Sequence, residues 1–166
     1  ISGENISNIK GKHLIPAFYL NELILSFLKI ADPYPDLFKL YTATLHDLSE
    51  LKSIEPSLRR FEIFLLSEIG YAINFETETL SQKPIEAGLN YVFTAGQGFV
   101  SKRDQNSGSF LIKGLWIKAI NEGDFSDPET LRCAKKIVRL SIQYHLDGKE
   151  LMSKKVFKSI ERKSGE

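Results

Sequence analysis

Apolar residues recur at three- and four-residue intervals over most of this chain, so its pattern predicts helices first. Leu20, Leu23, Ile24, Phe27 and Leu28 mark a helix over about 16–31. Ala31-Asp32-Pro33-Tyr34-Pro35 stops it, because a proline pushes the residue before it out of helical geometry. Pro35 suits the first turn of a second helix, whose inner stripe is Leu37, Phe38, Tyr41, Leu45 and Leu48. Pro56-Ser57 opens a third helix, and Gly70 closes it as a left-handed cap. From Leu58 to Ile69 apolar side chains fall on nearly every side, the mark of a buried helix.

The period changes between Ile73 and Gly108. Tyr91-Val92-Phe93-Thr94, the turn Ala95-Gly96-Gln97-Gly98 and Phe99-Val100 spell a short hairpin. Tyr91, Phe93 and Phe99 are its expected anchors on one face. Helical spacing resumes with Phe110, Leu111, Leu115, Ile117 and Ile120, with Ser109 as the expected cap. Asp127-Pro128-Glu129 starts another helix, which runs to about Leu146 and is broken by Asp147-Gly148. A last short helix begins near Ser153. The expected class is therefore mainly α: a compact domain of about six helices with a small β-hairpin insert near 88–101. Residues 1–14, with Gly3, Asn5, Asn8 and Gly11, read as a linker remnant, and 15–166 as the domain. No internal repeat or low-complexity tract interrupts it.

Composition narrows the class of protein. At 166 residues the chain suits one domain, and 42% apolar with 26% charged residues is ordinary for a soluble globular protein. Its apolar runs fall well short of the roughly 18 residues needed to span a bilayer. Ile1 to Lys12 lacks the apolar stretch of a signal peptide. The single cysteine, Cys133, excludes an internal disulfide and fits a reducing cytoplasm; beside Leu131 and Ala134 it reads as a small core residue. Charge is sorted along the chain. Residues 1–129 carry 12 basic against 17 acidic residues, and residues 130–166 carry 10 against 4. Such sorting points to an anionic partner for the basic segment more than the net charge of +1 does.

Two constellations carry candidate chemistry. Arg59 and Arg60 sit in the first turn of the buried third helix, where the dipole makes a cation unfavourable by roughly 0.3–1 kcal/mol unless an anion is present. Either carboxylates of this chain meet them, or at least one receives an anion from a partner. Arg132, Lys135, Lys136, Arg139 and Gln143 form one stripe of their helix, opposite Leu131, Ala134, Val138 and Ile142. Lys149, Lys154, Lys155, Lys158 and Arg162 follow in the same segment. The stripe reads either as a solvated face or as a phosphate-contacting surface. Tyr144 and Phe157 are the only aromatics after Phe125, which favours backbone contact over base stacking. His13, His46 and His145 are isolated, no Ser/His/Asp pattern is evident, and Gly96-Gln97-Gly98 lacks the setting of a nucleotide fingerprint. No catalytic residue, metal or cofactor is expected.

Leu58-Arg59-Arg60-Phe61-Glu62, its apolar continuation and Gly70-Tyr71 resemble the central helix of the RecO family, bacterial recombination mediators of DNA repair. Tyr19-Leu20-Asn21-Glu22-Leu23, followed by Pro35-Asp36-Leu37-Phe38, is similar to the opening of that family's helical region. Leu131-Arg132 through Lys135-Lys136 and Arg139, then Leu146-Asp147-Gly148-Lys149 and Ser153-Lys154, resemble its closing helices. The likeness covers about residues 17–162. It implies a C-terminal helical domain without the family's N-terminal OB-fold, and the start at Ile1 without Met fits a part of a longer protein. It also implies a non-enzymatic, cytoplasmic and nucleoid-associated role: loading recombinase on gapped DNA with RecR, annealing strands, and docking the acidic tail of single-stranded DNA-binding protein. That tail ends in a phenylalanine and its carboxylate, so an apolar groove with a cation at its mouth is its complement. By this resemblance Leu58, Arg59, Arg60 and Ile69 are the tail site, and Arg132, Lys135, Lys136, Arg139, Lys149, Lys154 and Lys155 the nucleic-acid site. Many relatives carry a four-cysteine zinc module where this chain has its hairpin. Tyr71 to Phe110 holds no cysteine or histidine, so the hairpin is expected to replace the metal. A helical scaffold binding only protein, with no direct DNA contact, is the alternative.

Overall fold

A computed structural model describes residues 9, 11–28, 32–50, 54–102, 110–147 and 149–153. Its elements are α1 (Leu14–Phe27), α2 (Pro35–Ser49), α3 (Ile54–Glu68), β1 (Asn90–Thr94), β2 (Gly98–Ser101), β3 (Leu111–Lys113), α4 (Gly114–Asn121) and α5 (Pro128–His145). The class is mainly α with a small antiparallel insert, as the apolar periods predict. Five α-helices stand among the described residues; of the sixth expected near Ser153, only Met152 and Ser153 are described.

Local signals fix several boundaries. Pro35 is the first residue of α2, and the Asp127 side chain caps α5 by accepting the Thr130 N–H at 3.1 Å. Gly70, at φ +84°, ends α3 in a Schellman motif: Tyr71 N–H donates to Leu66 O at 2.7 Å and Gly70 N–H to Ser67 O at 3.1 Å. α1 departs from expectation at both ends. It begins at Leu14 after a 3-10 turn over Gly11–His13, and residues 1–8 lie outside the described residues. It stops at Phe27, where Leu28 turns extended, because a downstream proline sets the latest possible stop and not the actual one.

The insert is larger than a hairpin. β2, β1 and β3 form a three-stranded antiparallel sheet in that order, with Phe93 opposite Phe99 and Tyr91 opposite Ile112. Leu111 to Lys113, expected to open a helix, instead pairs with the free edge of β1. α4 starts immediately after it at Gly114. A Cβ there would lie 2.0 Å from Glu86 O, so only glycine lets the chain pass the 86–89 loop. That loop in turn satisfies the new helix: Gly114 N–H donates to Leu89 O and Leu115 N–H to Ala87 O.

α5 joins two cores. Its Cys133, Ala134 and Ile137 pack with Phe75, Ile85, Tyr91, Phe93, Phe99, Ile112, Ile117, Ile120 and Phe125. Its Val138 and Ile142 pack with Leu20 and Leu23 of α1, Leu37, Leu45 and Leu48 of α2, and Phe61, Leu65 and Leu66 of α3. Tyr91, Phe93 and Phe99 are all buried, with the Phe93 and Phe99 rings 5.0 Å apart. Cys133 is buried and unpaired, and loss of hydration pushes its thiol up to about 11.

Candidate functional site

α3 begins at Ile54 and not at Pro56, so Arg59 and Arg60 stand in its second turn rather than its first, and they lie in opposite settings. Arg59 is only 5% exposed, and its guanidinium meets Glu62 one turn on: Nη2 donates to Oε1 at 2.9 Å, and Nε lies 2.7 Å from Oε2, off the hydrogen-bond direction. Tyr19 Oη, from α1, donates to the same Oε1 at 2.6 Å. Burial pushes the Glu62 carboxyl up, against the pull of Arg59 and Tyr19; burial, then Glu62, pushes the Tyr19 phenol up as well. The anion at Arg59 thus belongs to this chain, and the i, i+3 spacing within Arg59-Arg60-Phe61-Glu62 was the signal for it. Arg60 is exposed. Its guanidinium lies over the Phe125 ring, 5.4 Å from the centroid, and donates to Gly123 O at 3.3 Å.

Leu58 is buried in the helical core and Ile69 half-buried against it, so neither offers an open groove wall. A cleft of about 210 Å³ lies instead between α1 and α2, lined by Ile24, Leu28, Asp32, Tyr34, Leu37, Phe38 and Tyr41. Its lining carries an acidic residue and no basic one, a poor complement to an acidic tail.

The basic stripe of α5 faces outward. Arg132, Lys135, Lys136, Arg139 and Gln143 lie along one side, all exposed. Arg132 pairs with Glu129 at 2.6 Å, and Lys135 reaches Glu55 of α3 at 2.6 Å. Lys136 Nζ sits 3.7 Å from the Phe110 ring centroid, with Arg132 5.9 Å from the same ring. Lys149 is exposed beyond the helix, while Lys154 and Lys155 lie outside the described residues.

Two features escaped the sequence reading. Tyr71, delivered by the Gly70 cap, stacks on His145 with centroids 3.8 Å apart and planes 8° from parallel. Tyr144 meets His145 edge-on at 5.0 Å. Counting aromatics within α5 missed this group because one ring arrives from the far end of α3. Burial holds the His145 imidazole below its ordinary range. Second, Glu22 of α1 accepts the backbone N–H groups of Met152 and Ser153 and the Ser153 hydroxyl, capping the segment that follows α5. Tyr19-Leu20-Asn21-Glu22-Leu23 therefore ties α1 to everything around it. Tyr19 reaches Glu62, Asn21 accepts the Tyr41 hydroxyl, Glu22 caps the C-terminal segment, and both leucines are buried in the core.

Among the described residues no group of three or more His, Cys, Asp and Glu is arranged to hold a metal ion. The donors between Tyr71 and Phe110 do not suit tetrahedral zinc either, since that stretch has no thiolate or imidazole. No helix among the described residues is long and apolar enough to cross a membrane.

Residues 11–155 match the family described as Recombination protein O C terminal. The chain is 38% identical over 149 residues to the DNA repair protein RecO of Cellvibrio japonicus, covering 90% of this chain and 63% of that protein. It is 36% identical over 149 residues to the DNA repair protein RecO of Photobacterium profundum, covering 90% and 62%. The corresponding protein of Actinobacillus pleuropneumoniae serotype 5b is 35% identical over 148 residues, covering 89% and 61%. The chain thus spans somewhat less than two thirds of the length of these curated relatives. A match over most of its residues, with the three quoted segments in order, establishes that this chain belongs to the RecO family and corresponds to its C-terminal region.

Proposed function

We propose that this chain serves DNA repair and recombination as part of a mediator, contacting single-stranded DNA through its phosphates along the outer face of α5. The observation that carries this is the outward row of Arg132, Lys135, Lys136 and Arg139 in a chain whose relatives are DNA repair proteins. Arg132 and Lys135 engage acidic neighbours, yet exposed pairs are worth only about 0–1 kcal/mol, so a phosphate displaces them at little cost. Lys149, Lys154 and Lys155 extend the row in sequence. Replacing Lys135, Lys136 and Arg139 together by alanine should weaken unrelated single strands similarly and flatten the salt dependence by about two, at ~0.7 per phosphate. An unchanged slope favours the protein-only scaffold, for which the pairing of Arg132 and Lys135 within the chain already speaks. No catalytic step belongs to this function.

The same reading includes the acidic tail of single-stranded DNA-binding protein at the start of α3, and work with RecR in annealing and recombinase loading, in the cytoplasm at the nucleoid. Arg60 is the exposed donor for the tail carboxylate; Arg59 is reached only by exchange from Glu62. Arg60→Ala should weaken binding of an acidic, Phe-terminated peptide by about 2 kcal/mol in a calorimetric titration. Unaltered affinity sends the tail elsewhere on the domain.

A further inference from the structure

We propose that Tyr144 is a stacking platform for a base of single-stranded nucleic acid, on the flank of α5 next to the C-terminal end of its basic face. This rests on the phosphate-contact reading and adds a second kind of contact to it. Tyr144 is 60% exposed, yet its ring is held on two sides. The His145 ring stands at 85° to it with centroids 5.0 Å apart, and His145 is itself clamped against Tyr71. Gly96, at the turn between β1 and β2, approaches so closely that a Cβ there would lie 2.7 Å from Cε1 and Cζ of Tyr144. Gly96 also has φ +76°, so the turn and the close approach both require glycine.

An aromatic ring that is open to solvent but already fixed is suited to stacking, because little rotamer freedom remains to be lost on binding. Its surroundings choose the ligand. The exposed row of Lys136, Arg139 and Gln143 runs about a third of a turn round α5 from Tyr144, and exposed Lys149 follows beyond the helix. A fixed ring on the flank next to a row of cations matches a strand that alternates phosphate with flat bases. A neutral apolar partner would leave those charges without a counterpart.

The test compares oligothymidylate with an abasic strand of equal length and charge, titrated against the chain by fluorescence anisotropy. Tyr144→Ala should weaken oligothymidylate binding by about 10-fold and leave the abasic strand and the salt slope unchanged. Tyr144→Phe should retain wild-type affinity for both. Tyr144→Leu, which keeps apolar bulk without a ring, should behave as Tyr144→Ala. Equal losses on the two strands, or no loss on oligothymidylate, overturn stacking while the phosphate reading stands. A wild-type chain that binds neither strand overturns both.

Discussion

The three-helix half of the molecule and the sheet half pack on the same helix, but they keep their charges in different places. In the helical half an ion pair lies inside: Arg59, Glu62 and the Tyr19 hydroxyl form a closed group among leucines and Phe61. In the sheet half the interior is apolar, and carboxylate and cations stay at the margin. Glu78 accepts the Ser101 N–H and hydroxyl and the Ser81 hydroxyl beside the sheet. Lys113 lies over Trp116, and Lys136 and Arg132 over Phe110. A buried pair binds only in one geometry, so it dictates how α1 sits on α3; a cation over a ring tolerates displacement and leaves its charge available. Packing specificity is thus concentrated in the helical half, and surface charge suited to a ligand gathers around the sheet half and α5.

The largest expected effect breaks the buried pair. Arg59→Ala leaves the Glu62 carboxylate buried with only a phenol as donor and should cost about 3–5 kcal/mol in urea unfolding. Replacing both partners, Arg59→Met with Glu62→Leu, should recover most of that loss. A single variant losing under ~1 kcal/mol would show that Glu62 is not tied to Arg59 in solution.

A smaller effect probes the sheet half. Gly114→Ala forces a methyl group into the Glu86 carbonyl and should cost about 1–3 kcal/mol, seen as a lowered melting temperature. Ala at Gly123, where no atom lies within 4 Å, is the control for steric conflict and meets only backbone strain at φ +71°. Equal losses at the two positions would mean that strain, and not the approach of the 86–89 loop, sets the requirement.

The smallest concerns the join between α1 and the C-terminal segment. Partial burial pushes the Glu22 carboxyl up, but donors from Ser153 and Met152 outweigh it and hold the group below its ordinary range. A depressed folded value makes the contribution present above the unfolded value near ~4.3 and lost as pH falls through the folded one. Protection factors of the Met152 and Ser153 amides, with the intrinsic pH dependence of exchange divided out, should therefore fall on acidification below about pH 4. Glu22→Gln should show fast exchange already at neutral pH; protection equal to wild type would remove Glu22 from this role.

Much was legible because it was local. Pro35, Asp127 and Gly70 act on their own few residues, so helix starts and the α3 stop follow from sequence. Tyr91, Phe93 and Phe99 alternate as one face of a hairpin requires. The family, too, was carried by short segments read in order. What sequence could not decide was anything needing a distant partner. Leu111-Ile112-Lys113 has no strand signal of its own and becomes β3 only because β1 offers a free edge. The Tyr71–His145 stack and the Glu22 cap on Ser153 join residues far apart in the chain, and their geometry arises only once α3, α5 and α1 are packed. Even Arg59 followed that logic: its charge and its i, i+3 carboxylate were written in the sequence, whereas its burial, and hence its role, was set by the helices that close over it.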